Sequence, residues 1–123
     1  MEYHGNLLST EFINKSFLEG FQILEKRKSL DNPWIHYLVS ISEEELDKAT
    51  KEIQENLLPK KYYAHIYNRD GSDVIVIFPH RIFRLSLGDR EGWRDLKEYM
   101  LEFGIPEEQT DPNPKNFQDE KEY

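Results

Sequence analysis

The most constraining stretch of the 123-residue chain is "YYAHIYNRDGSDVIVIFPHRIFRLSL", residues 62–87. Three runs rich in aromatic and β-branched residues are joined by "NRDGSD", which carries an Asp-Gly turn signal, and by the tight "PHR". Connections this short hold no crossover helix, so the runs pair antiparallel. "VIVIF", residues 74–78, is apolar throughout, which places that strand centrally in its sheet.

Periodicity assigns the other elements. Ile13, Phe17, Gly20/Phe21 and Leu24 recur at helical spacing and predict a helix from Thr10 through the basic "EKRK", stopped by Pro33. Residues 1–9 give little signal. "WIHYLVSI", 34–41, reads as a strand. Ser42 and Glu45 form a capping-box pattern ahead of Leu46, Ala49, Ile53 and Leu57, the stripe of a second helix closed by Pro59. "GDREGW" opens a last helix with Trp93, Leu96, Met100 and Phe103 on one face and Gly104 at its C-cap. The expected fold is an α+β two-layer sandwich: an antiparallel sheet with helices on one face, a ferredoxin-like βαββ core and an extra N-terminal helix. Residues 1–106 form a single domain in this reading, and 107–123 a flexible, acidic C-terminal tail. Strand order is left open.

The formal charge of −8, half of it in residues 107–123, argues against binding nucleic acid, which needs clustered Lys and Arg, and against docking on an anionic membrane. The chain has no cysteine, so disulfides, thiol nucleophiles and thiolate metal sites are excluded. No stretch has the length and apolarity of a membrane span, and "MEYHGNLLSTEF" lacks the pattern of a signal peptide. The cytoplasm is the expected location.

Alternation along the strands nominates a surface. Ile35, Tyr37, Val39 and Ile41 share one face, with Ala64, Ile66, Phe83, Leu85 and Leu87 assigned to the same helix-covered side. Trp34, His36, Tyr63, His65, Tyr67 and Arg84 are then left on the open face, too apolar a surface to stand in water without a role. It would be an interface with a second copy, a platform for a small ligand, or the floor beneath the first helix or the tail. A lone strand histidine more commonly serves as a hydrogen-bonded structural residue, and β-propensity alone favours Tyr and Trp. The favoured function is a non-enzymatic binding or self-associating module using this face, its partner a homodimer mate or a small ligand. The alternative is a small enzyme or metal-binding protein centred on His36 and His65, which lacks an evident third partner.

No catalytic residue, metal set or cofactor is assigned. There is no phosphate-binding glycine loop, no HExxH and no nucleophile elbow. The carboxylates of "EEE", 43–45, and "PEEQ", 106–109, stand at helix starts, where negative charge suits the dipole. Arg81, Arg84, Arg90 and Arg94, with Lys60 and Lys61, form either a solvated edge or a patch for an anion or the acidic tail. Stacking of single-stranded RNA on the aromatic face ranks last, because the charge opposes it.

Trp34 and His36, the Tyr63-Ala64-His65 triplet, Asn68, the paired strands and the exit Gly104-Ile105-Pro106-Glu107 together carry a resemblance. Residues 25–111 resemble a family of small uncharacterised bacterial and archaeal proteins. The resemblance implies no activity, cofactor or catalytic residue.

Overall fold

The predicted meander forms: β4 (Ala64–Asn68), β5 (Asp73–Phe78) and β6 (Arg81–Ser86) pair antiparallel in sequence order. The computed structural model describes residues 1–28, 35–59, 63–110, 112 and 115–122. The β4–β5 turn is closed by Asn68, whose side-chain oxygen accepts from the Asp73 amide at 3.1 Å, and by Gly71 at φ 77°. Only a residue without Cβ adopts that φ at no steric cost.

Three strands precede the meander: β1 (Glu2–Leu8), β2 (Gln22–Lys28) and β3 (Ile35–Ser42). They complete a six-stranded, wholly antiparallel sheet of order β2-β3-β1-β4-β5-β6. Helix α1 (Leu46–Asn56) joins β3 to β4, and α2 (Arg90–Phe103) follows β6. Strands β3 and β4 run parallel with β1 antiparallel between them, a split β-α-β unit.

The α+β class and the antiparallel sheet hold, but three expectations are corrected. The N-terminal region is strands, not a helix. Residues 9–11 and 15–20 are short 3-10 turns, and β2 follows at once. The helical spacing has a different origin: Phe12, Phe17 and Phe21 pack edge-to-face on one another. Ile13 and Leu24, the ends of the supposed stripe, are exposed. A ferredoxin-like core does not describe this strand order, since β1 enters from the N-terminus between β3 and β4. Nor do the helices share one face. Leu46, Ala49 and Ile53 of α1 pack with Tyr3, Leu7, Tyr37, Val39, Ile41, Ala64, Ile66, Ile75 and Ile77. Leu96 and Met100 of α2 pack with Tyr67, Val74, Val76, Phe78, Phe83 and Leu85. The two sets alternate along β5, so α1 and α2 cover opposite faces, and residues 74–78 are buried on both. Each such Val, Ile or Phe contributes about 1.5–3 kcal/mol of burial.

Helix α2 ends as its sequence dictates. The Asp89 side chain accepts from the Gly92 amide at 3.0 Å, and Gly104 closes the other end at φ 100°. A Cβ on Gly92 would lie 2.7 Å from Leu85 Cδ2, so the bare glycine lets α2 approach β6. No helix among the described residues is long and apolar enough to cross a membrane.

Candidate functional site on the second sheet face

The face opposite α1 carries most of the nominated residues. Alternation does put Tyr67 and His65 there, level with Val74 and Val76, and His36 and Leu38 on the same side of β3. It is not one open surface. Helix α2 covers its β4–β6 half, and His65 and Tyr67 are buried, with Tyr63 partly buried against the same cluster. The His65 ring lies between those of Tyr63 and Tyr67, at centroid distances of 6.4 and 5.7 Å. Trp34 lies outside the described residues.

Arg84 does not belong to this group. It pairs with Ile75, on the α1 face, and forks onto Asp73 with Nε at 3.1 Å and Nη2 at 2.6 Å. The Tyr3 hydroxyl donates to the same carboxylate at 2.6 Å. Arg84 holds the Asp73 carboxyl below its usual range, while burial, then Asp73, pushes the Tyr3 hydroxyl up to about 12. The sequence reading assigned Phe83 and Leu85 to the face of Ala64. They turn to α2 instead, because α2 supplies an apolar partner on that side. Arg81 and Arg84 alternate to opposite faces, so the run of arginines does not make one patch.

His36 and His65 stand on strands separated by β1. Their backbones are thus at least two strand spacings, roughly 9–10 Å, apart. Among the described residues no group of three or more His, Asp or Glu is arranged to hold a metal. Burial, then the neighbouring Arg27, lowers the proton affinity of His36.

The densest polar cluster on this face centres on His4, which the sequence reading passed over. His4 Nδ1 lies 2.8 and 3.0 Å from the two carboxylate oxygens of Glu120, and Nε2 lies 3.0 Å from Glu2 Oε2. The Ser40 hydroxyl donates to the same Glu2 oxygen at 2.6 Å, and the Tyr67 hydroxyl donates to Glu120 Oε2 at 2.8 Å. Both ring nitrogens are thus engaged by carboxyl groups of the chain, and neither stands open to a substrate or a metal. The serine faces Glu2, not the imidazole, so this is no nucleophile–base arrangement. Burial, then Glu120, pushes the Tyr67 hydroxyl well above the usual tyrosine range. The Ser40 and His4 bonds hold Glu2 below the usual carboxylate range.

Phe117 completes the cluster. Its ring stacks on His4 with centroids 3.6 Å apart and planes 8° from parallel, and the Arg69 guanidinium lies over it at 5.3 Å. The Phe117 amide donates to the Arg69 carbonyl at 3.0 Å. Thus the acidic C-terminal region, read from sequence as a flexible tail, provides the aromatic ring and the carboxylate that meet His4. An isolated Phe within a polar, acidic run was the available signal.

Beyond this cluster the face has no helix over it among the described residues. Asn6, Glu25, Arg27, His36 and Leu38, with Glu120 at the rim, line a shallow depression there. It combines one aliphatic side chain, a carboxamide, an imidazole, a guanidinium and two carboxylates. That mixture suits polar recognition of a protein surface or a small anion and supplies no reacting centre. Compared with protein-family models, curated proteins and solved structures, the chain matches none.

Proposed function

We propose that the protein is a non-enzymatic module that self-associates or binds a small partner through the uncovered half of this sheet face, centred on His36 and Leu38. The supporting observation is the depression itself, half-buried side chains on strands β1 and β3 that no described helix covers. It is flanked by β2, an edge strand whose exposed Lys26, Arg27 and Lys28 discourage edge pairing and leave the face as the contact surface. The engagement of both His4 nitrogens weighs against acid–base chemistry at the buried cluster. A kinship of residues 25–111 with small uncharacterised bacterial and archaeal proteins would bring no activity with it.

Leu38→Glu and His36→Glu place charge on a surface position without touching the core. Sedimentation of the wild-type chain over a concentration series is expected to show self-association that both variants weaken at unchanged melting temperature. A wild-type monomer at all concentrations, with no calorimetric heat on titrating small anions, removes this reading.

A further inference from the structure

The covered half of the same face has the make-up of a receptor. It offers the flat ring of His4 beneath Phe117 and the Arg69 guanidinium against the same ring. The His4 imidazole and the Tyr67 hydroxyl converge on the Glu120 carboxylate. The Arg69 carbonyl accepts the Phe117 amide, and the Lys115 backbone passes Gly71 so closely that a Cβ there would lie 2.7 Å from its carbonyl oxygen. These contacts select an aromatic ring and an acid three residues apart. Stacking and charge-assisted bonds carry the recognition, in place of general apolar packing.

Between α2 and Lys115 the described residues contain one short 3-10 turn, Glu107–Gln109. Beyond Ile105, which is buried in the core, residues 106–114 would span up to about 30 Å when extended, enough to reach the groove of an adjacent molecule. In a chain of net charge −8, Arg69 is a local cation beside the Phe117 ring and favours a carboxylate-bearing segment at this place. Exchanging an identical segment between two copies keeps every contact and adds only the cost of association.

We propose that the groove of His4, Tyr67, Arg69 and Gly71 is a recognition site for an aromatic–acidic chain segment, filled by residues 115–120 of its own molecule and open to the same segment of a second copy. The groove adjoins the His36–Leu38 depression through Glu120, and crosslinking, not the association lost in Leu38→Glu, tests it. Because an intramolecular segment competes at an effective concentration of about millimolar, exchange is expected near that protein concentration.

The chain's lack of cysteine allows a direct test. Asp70 and Gln118 line one cleft between the β4–β5 turn and the segment. Asp70→Cys and Gln118→Cys, made in separate full-length chains, are mixed at millimolar concentration and treated with a short bis-maleimide. The expected product is a crosslinked heterodimer at least tenfold above that from Glu98→Cys mixed with Gln118→Cys, since Glu98 lies on α2. An excess of a peptide with the sequence of residues 115–123 is expected to suppress it. A yield no greater than the control overturns the proposal. Both substitutions in one chain serve as the check. Intramolecular linking without heterodimer confines the segment to its own molecule and overturns exchange, and linking in neither arrangement overturns the groove as the segment's seat.

Discussion

The imidazole of His4 lies flat against the ring of Phe117, 3.6 Å between centroids, although the two residues stand at opposite ends of the chain. The contact ties the second layer of the sheet to residues that no regular strand or helix holds. Phe117→Ala removes the stack and the cation–π contact with Arg69. It is expected to lower stability by about 1–2 kcal/mol, measured by urea denaturation. A double-mutant cycle with His4→Ala should return a coupling of about 0.5–1.5 kcal/mol; additive effects would mean that the stack contributes nothing.

Gly71 should be intolerant of any side chain. Its φ of 77° and the Lys115 carbonyl in the path of a Cβ act together. Gly71→Ala is expected to cost about 1–2 kcal/mol and to free the 115–120 segment, read as faster proteolysis near the C-terminus. Gly88→Ala, where nothing lies within 4 Å of the added carbon, serves as the neutral control.

Glu11 gives the chain a specific pH dependence. Burial beside Leu8 pushes its carboxyl up to about 8 from an ordinary 4.5, against the pull of the Leu8 and Tyr63 amides. The folded state therefore holds this proton where the unfolded chain has released it. Stability from this group is full below pH 4.5, falls as pH rises between 4.5 and about 8, and is gone above that. For one proton the slope is at most about 1.4 kcal/mol per pH unit. Glu11→Gln should flatten the profile of melting temperature across that window; an unchanged slope would assign the pH dependence elsewhere.

The Tyr3–Asp73–Arg84 triad separates a buried from an exposed contribution. Tyr3→Phe leaves a desolvated carboxylate short of one donor and should cost about 1 kcal/mol. Arg84, whose side chain is 56% exposed, should cost only about 0.5–1 kcal/mol on truncation to Ala, and less in high salt. Thermal melts at two ionic strengths distinguish them, since only the Arg84 effect should shrink.

Much of this architecture was legible because two periods do not overlap. The 3.6-residue stripes of Leu46–Ala49–Ile53 and Leu96–Met100 marked both helices, and the period of two separated Ala64 and Ile66 from His65 and Tyr67. Alternation sorts side chains into two sets without saying which set meets which layer. With helices on both faces, the apolar set of β6 went to α2, and Arg84 was grouped with the wrong neighbours. Strand β1 escaped notice because His4, Gly5 and Asn6 interrupt its apolar pattern, yet it pairs on both sides. The His4–Phe117 relationship was out of reach for a different reason: no local pattern links residues so far apart in the chain.

The position of β1 carries a consequence for how the sheet is assembled during synthesis. Of the six strands, β1 is made first and comes to lie between β3 and β4, so its β4-facing edge has no strand partner until residues through Asn68 have emerged. Until then that edge is open to any other strand, and a segment ahead of Met1 would have to leave the sheet by the β3–α1 end, where the Met1 carbonyl accepts from the Glu43 amide at 3.0 Å.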